Sequence, residues 1–228
     1  VLRHSVTEGV AAGFNYATVR ARLKDASGAD DTVGITVEND LNTETEFNYT
    51  LNFDGQAGGV GVIENVTIDD ADTEDNTVIL TAAQEQTGTL TLTGGVDGDE
   101  FTITSSLVFA TIDAAAQLSD LRLTVGDAVL PIADVDQDIM LGEGDDILTF
   151  ANIDDFNTAD NITDAGGDDT VRAAFSEDAD LTLTGIENLH IVANDNVTLG
   201  MANADIDNLV ILADIAADGN ADASPVTA

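Results

Sequence analysis

The chain has no cysteine, no tryptophan, only 2 prolines and only 6 Lys+Arg in 228 residues. Without cysteine there is no disulfide framework and no thiolate metal site. With aromatics at 4%, a large aromatic-lined cleft has little to be built from. So few cations cannot form the basic patch that a phosphate backbone requires, which excludes nucleic acid as a partner. An anionic membrane surface would repel the chain. No apolar run approaches the ~18 residues of a membrane span, so no membrane insertion is expected. The start, Val1-Leu2-Arg3-His4, is neither a signal peptide nor an initiator methionine, and the chain reads as a processed or truncated piece of something larger. No G-x-S-x-G, no P-loop and no Cys-based nucleophile occurs, so this segment is not expected to be an enzyme.

What remains is dominated by acid. The 44 Asp+Glu give a net charge of −38. Self-repulsion of that size destabilises a compact state unless something offsets it. High salt, bound divalent cations or a partner lattice would each serve. Hard carboxylate oxygens suit Ca²⁺ best among common cations. Adaptation to a salty habitat is a second account of the acidity, compatible with the first. The chain is 43% hydrophobic, enough to bury a core.

The local signal is strand. Thr32-Val33-Gly34-Ile35-Thr36-Val37, Thr77-Val78-Ile79-Leu80-Thr81, Thr89-Leu90-Thr91-Leu92-Thr93, Leu121-Arg122-Leu123-Thr124-Val125 and Leu181-Thr182-Leu183-Thr184 alternate apolar with polar residues, the pattern of half-buried strands. Only Asp113 to Leu121 reads as a short helix or a loop. The sequence also repeats. Asp30-Asp31-Thr32-Val33 recurs as Asp168-Asp169-Thr170-Val171, and Val62-Ile63-Glu64-Asn65-Val66 as Gly185-Ile186-Glu187-Asn188-Leu189. A third element, Gln117 to Leu123, recurs as Asp205 to Ile211. The recurrence of Glu64 and Glu187 argues for a structural task at a strand start, since a catalytic residue need occur only once. An all-β fold of stacked strand repeats, β-solenoid or β-roll-like, follows. Its first part, residues 1–130, is either the same stack or a β-sandwich, and the joint falls near Pro131.

One segment carries chemistry. Leu141-Gly142-Glu143-Gly144-Asp145-Asp146-Ile147-Leu148 matches the calcium-binding nonapeptide G-G-x-G-x-D-x-U-x except at the first position. A weaker match is Asp164-Ala165-Gly166-Gly167-Asp168-Asp169-Thr170-Val171, preceded by Ala159-Asp160-Asn161-Ile162. Glycine allows the turn to adopt φ > 0, the Asp supplies a hard carboxylate, and the apolar residue enters the core. Stacking two such turns would surround one Ca²⁺ with oxygens. Asp146 and Asp169 are the candidate side-chain ligands, with carbonyls of Gly142, Gly144 and Gly167 as co-ligands and Asp145, Asp160, Asp164 and Asp168 as auxiliaries. Asp134-Val135-Asp136-Gln137-Asp138 spaces carboxylates like an EF-hand loop but has Ile139 where that loop needs glycine.

The stretch from Met140 to Ala174 resembles RTX calcium-binding repeats. With the downstream G-I-E-N-L element, it resembles the RTX-containing bacterial surface-layer proteins exported by type I secretion. The resemblance covers the chain from there onward and residues 30–125 more loosely. It implies an RTX-like calcium-binding β-repeat domain over 131–228, Ca²⁺-dependent folding outside the cell, and self-association into a lattice or filament at the cell surface, with cell-surface polysaccharide as a further partner. Two other roles fit the same residues: an adhesin or carbohydrate-binding module, and the non-catalytic RTX portion of a larger secreted enzyme.

Overall fold

The computed structural model describes residues 16–22, 31–37, 47–54, 64–71, 73, 75–82, 88–105, 109–126, 135–194 and 196–212. Among these residues it contains strands and no helix. In chain order they are β1 (Tyr16–Arg22), β2 (Thr32–Val37), β3 (Phe47–Asp54), β4 (Asn65–Asp70), β5 (Asn76–Ala82), β6 (Thr89–Gly94), β7 (Glu100–Ser105), β8 (Thr111–Gln117) and β9 (Asp120–Val125). There follow β10 (Asp138–Met140), β11 (Ile147–Ile153), β12 (Asn161–Thr163), β13 (Thr170–Phe175), β14 (Ala179–Thr184), β15 (Asn188–Ala193), β16 (Leu199–Ala204) and β17 (Asn208–Ile211).

Odd strands form one sheet in the order β1-β3-β5-β7-β9-β11-β13-β15-β17, and even strands a second, from β2 to β16. Successive strands therefore alternate between sheets, and each pairs with the strand two places on. All of these pairings are parallel. This is a β-solenoid, with each coil laid on the last. Strands before residue 126 are parallel like the rest, which replaces the sandwich alternative for the first part. Across the joint near Pro131, β8 pairs with β10 and β9 with β11, so both sheets run through it.

Parallel stacking aligns like residues in rows. Val78, Ile103, Leu123, Leu148, Val171 and Leu189 occupy one register row. In the other sheet Val66, Leu90, Ile112, Ile139, Ile162 and Leu183 occupy another. All twelve are at most 1% exposed and belong to one contiguous core. The alternating Thr residues between them lie at intermediate burial, as a strand period of two requires. Beyond these rows, Phe150 stacks on Phe156 with ring centroids 5.0 Å apart, and Phe175 lies 6.0 Å from Phe156.

Of the stretch expected as a short helix or a loop, Asp113 to Gln117 lies in strand β8, Leu118 and Ser119 form the connection, and Asp120 and Leu121 open β9. Ala114-Ala115-Ala116 has helical propensity, but pairing on both sides overrides it. Ile112 pairs with Leu90 and Ile139, and a one-residue bulge between Thr91 and Thr93 absorbs the extra alanine. The segment spaced like an EF-hand loop leads into a strand. Asp138 opens β10, Gln137 is buried, and Asp136 and Asp138 are exposed. Asp138 Oδ1 accepts a bond from Asn161 Nδ2, so these carboxylates do not close on a point. Asp134 lies outside the described residues.

A row residue should therefore matter far more than an exposed neighbour. Leu123→Ala is expected to cost about 2–5 kcal/mol, whereas Leu118→Ala, at a side chain 43% exposed, should stay within about 0.5 kcal/mol. Urea midpoints of the two variants measure the difference.

Candidate metal centre

The loops joining even to odd strands stack one above another along one edge of the solenoid. Glu143 N–H donates to the Gln117 carbonyl at 3.1 Å, and Ala165 N–H to the Gly142 carbonyl at 3.3 Å. Such close stacking leaves no room for side chains at three positions. A methyl added at Gly142 would sit 2.4 Å from the Gln117 oxygen, at Gly144 2.6 Å from the Ser119 oxygen, and at Gly167 2.2 Å from the Gly144 oxygen. Gly167 also has φ +149, which a residue with a Cβ rarely adopts. The glycines of the motif are thus demanded by coil-to-coil contact. The position where the nonapeptide has its first glycine is Leu141, which is 1% exposed and part of the core. That departure is a core residue placed one step before the turn.

Within this stack Asp146, Asp164 and Asp169 converge, each offering a carboxylate oxygen within 4.8 Å of the others. Asp146 follows the first glycine turn and is fully buried. Its Oδ1 accepts the Leu121 N–H (2.8 Å) and its Oδ2 the Gly142 N–H (2.9 Å). Asp169, also fully buried, accepts the Asp146 N–H at Oδ1 (2.7 Å). Asp164 is half-buried, and its Oδ2 accepts the Gly166 N–H. Two oxygens remain: Asp164 Oδ1 and Asp169 Oδ2 are buried with no hydrogen-bond partner.

Electrostatics follow from that arrangement. Burial pushes the Asp146 carboxyl up to about 6, against the pull of its two backbone N–H donors. Asp164 is likewise raised to about 6 and Asp169 to about 8, first by burial; a hydrogen bond between the two carboxyls pulls Asp164 down and pushes Asp169 up, and acidic neighbours, Asp146 for the one and Asp164 and Glu187 for the other, raise them further. Leaving a buried acceptor unsatisfied costs roughly 1–3 kcal/mol, more for a charged group. The pair can relieve this by sharing a proton or by binding a cation.

The other expected residues have different places. Asp145 and Asp168 are exposed and belong to an outer ladder: Asp145 N–H donates to Asp120 Oδ1, Asp168 N–H to Asp145 Oδ1, and Asn188 Nδ2 to Asp168 Oδ1. Asp160 is not brought into the group. It caps another loop, accepting the Gln137 and Asn157 N–H groups at 2.7 Å each, and burial raises it to about 6.

Sequence reasoning left Glu187 out of this site. Its Oε2 accepts the Asp169 N–H at 2.9 Å, and Glu64 Oε2 accepts the Asp31 N–H at the same distance. Both repeated glutamates therefore hold the strand start of the preceding coil. The repetition itself was the signal, since the same residue just before a strand, here β4 of one sheet and β15 of the other, points to a backbone task.

No protein-family model, no curated protein and no solved structure matches the chain.

The residues fit a hard divalent cation. The donor set is entirely oxygen, two of its atoms are unpartnered, and Ca²⁺ takes six to eight such ligands in flexible geometry. Without the ion, Asp169→Asn should stabilise the protein by about 1 kcal/mol, because an amide keeps the Oδ1 acceptor and offers Asp164 an N–H donor without a buried carboxyl having to hold a proton. The pH response has a definite sign. The folded state holds protons on these carboxyls above the pH at which the unfolded chain has lost them. Stability in EGTA should therefore fall as pH rises from the ordinary 3.8 through about 6, the value for Asp146, to about 8, the value for Asp169. Asp169→Asn should flatten that slope relative to wild type. Urea unfolding at a series of pH values reads both effects, and a destabilised variant with an unchanged slope would contradict this account.

Proposed function

We propose that this protein is a structural, extracellular, calcium-binding β-solenoid that contributes to a cell-surface layer or matrix. The observation that carries the reading is the convergence of Asp146, Asp164 and Asp169, with buried Asp164 Oδ1 and Asp169 Oδ2 accepting from no N–H or hydroxyl, so that the two carboxyls have only a proton to share between them. The net charge of −38 adds a global reason for the folded state to take up divalent cations.

In this role the ion joins coils. Asp146 sits on one turn, and Asp164 and Asp169 on the next, so a cation among them ties successive layers. Gly142, Gly144 and Gly167 keep the turns near enough for carbonyls to assist. Asp146 contributes by capping the Leu121 and Gly142 N–H groups, which holds the turn in shape, and Asp169 turns its second oxygen toward the ion. In a solenoid each coil contacts only its neighbours, so a clamp between layers stabilises both sides. Ligands from consecutive coils are made adjacent only by folding, so such a site would form with the fold and be lost with it. An extracellular setting supplies the calcium this scheme needs.

The adhesin or carbohydrate-binding alternative has its best footing in an open cleft lined by Asp136, Asp154, Phe156, Asn157, Thr158, Phe175, Glu177, Asp178 and Ala179. Phe156 and Phe175 are only 1% exposed, so they offer a sugar no aromatic face. The structural reading is therefore preferred.

Calcium titrated into the EDTA-treated chain should release heat and raise the melting temperature. At a free concentration one hundred times Kd the gain is about 2.7 kcal/mol. Asp146→Asn and Asp169→Asn should each weaken binding at least about tenfold. Affinity should increase with pH through about 6 and on to about 8, the values for Asp146 and Asp169, because the ion displaces protons. Melting curves that EGTA leaves unchanged would sink the calcium assignment.

A further inference from the structure

Beyond Lys24 the sequence has three basic residues, Arg122, Arg172 and His190. All three lie on the nine-stranded sheet, in β9, β13 and β15. Their neighbours along each strand are core: Leu121 and Leu123, Val171 and Ala173, Leu189 and Ile191. The strand period of two therefore turns the basic side chains to the outer face of the sheet. Arg122 is answered there. Its Nε meets Glu100 Oε2 at 3.1 Å, and its Nη1 donates to the Asp145 carbonyl at 2.7 Å.

Arg172 has no such answer. Among the described residues no carboxylate pairs with it, and its Nε is buried without a hydrogen-bond partner. In a chain with 44 acidic residues, register is the cause. Arg172 stands between Thr149 of β11 and His190 of β15, and His190 stands between Arg172 and Val210 of β17. Along their own strands the same-face neighbours are Thr170 and Ala174, and Asn188 and Val192. None of these is acidic. The acids that precede the two strands are held at the corner: Asp168 by Asn188 Nδ2, Asp169 by the Asp146 N–H, and Glu187 by the Asp169 N–H. Register partners in adjacent strands lie about 4.8 Å apart, so a charged His190 would face a charged Arg172. Burial first, and the Arg172 charge second, hold His190 below its ordinary value.

We propose that Arg172 and His190 form a binding site for a tetrahedral oxyanion, sulfate or phosphate, taken as the free ion or as the ester group of a larger molecule. A guanidinium offers donors in a planar fork and accepts nothing, so its partner is an acceptor of negative charge. A planar carboxylate would be used up by that fork. A tetrahedral anion keeps oxygens over for the imidazolium N–H one coil on and for the Thr149 hydroxyl one coil back. The anion supplies the charge that the register withholds, and His190 takes up a proton as it binds. This site goes beyond the calcium reading and does not rest on it. Its pH dependence also has the opposite sign: oxyanion affinity falls as pH rises and His190 loses its proton, whereas calcium affinity increases.

The test follows histidine ring resonances of the full chain by NMR through a pH titration, with calcium present and ionic strength held constant by NaCl. The sequence has 2 histidines, His4 and His190, and His190→Gln assigns them. The probes are inorganic sulfate, glucose 6-sulfate and glucose 6-phosphate. At saturation sulfate should raise the His190 midpoint by about one pH unit, the shift produced by a tenfold preference for the protonated form, and leave His4 unmoved. Arg172→Gln should weaken binding at least about tenfold, and Arg172→Lys, which keeps the charge but not the fork, by a smaller factor. His190→Gln should bind sulfate in calorimetry with no dependence on pH between about 5 and 8. Circular dichroism and melting report that each variant is folded. Equal affinity for sulfate and glucose 6-sulfate supports the site with the free ion as its ligand; tighter binding of either ester supports it with a larger molecule as its ligand. The proposal is overturned if sulfate moves His190 no further than chloride does at the same ionic strength, if His4 moves equally, or if a folded Arg172→Gln or Arg172→Lys chain keeps the full sulfate effect.

Discussion

Parallel stacking of coils is the constraint from which the other features follow. A strand in such a sheet pairs with the strands above and below it, which lie about 4.8 Å away. Whatever side chain one coil presents is therefore repeated or answered at that spacing by the next. Apolar residues form rows such as Val78 to Leu189. Carboxylates at the strand starts form rows too, and it is there that the repulsion of a chain carrying −38 becomes a local problem.

The protein meets that problem mostly with backbone. Asp120, Asp145 and Asp168 on the outer corner, and Asp146, Asp169 and Glu187 on the inner one, accept N–H groups from neighbouring coils or from their own turn. Each bond to a charged acceptor contributes more than a neutral one, and each ties one layer to another. The scheme runs short at Asp164 and Asp169, where two buried oxygens are left over. Glycine at 142, 144 and 167 makes that corner possible by letting turns approach to distances that a methyl would forbid. The candidate ion site and the tight stacking are therefore one feature seen from two sides.

Much of this was legible from residue order. Alternation in Thr89 to Thr93 and Leu181 to Thr184 marks strands, and the shared Glu64 and Glu187 marks a repeated backbone task that the structure confirms at 2.9 Å in both coils. Asp146, Asp164 and Asp169 were visible as candidates through their place in glycine turns. Less visible was the selection among the acids. Asp145 and Asp146 are adjacent in sequence, yet one faces solvent and the other is fully buried, because a strand start turns successive side chains to opposite faces. Asp160 looked like part of the same motif and instead caps Gln137 and Asn157. The alanine run in β8 looked helical because propensity is local, while the pairing that made it a strand comes from β6 and β10.

Sequence by itself determined the β class, the repetition, the acidity, the absence of any thiol chemistry, and the turns in which a hard cation could be held. These are properties of composition and of patterns a few residues long. The tertiary structure decided that the whole described chain is one parallel stack and not partly a sandwich, that Leu141 is core, and that three of the many acids share a buried corner. It also decided that Leu209 and Ile211 of β17 are about half exposed, although they continue a core row. Each of those depends on which coil lies above which. The hydrogen bonds and contacts that fix coil order join residues about twenty positions apart or more, beyond the reach of any local pattern.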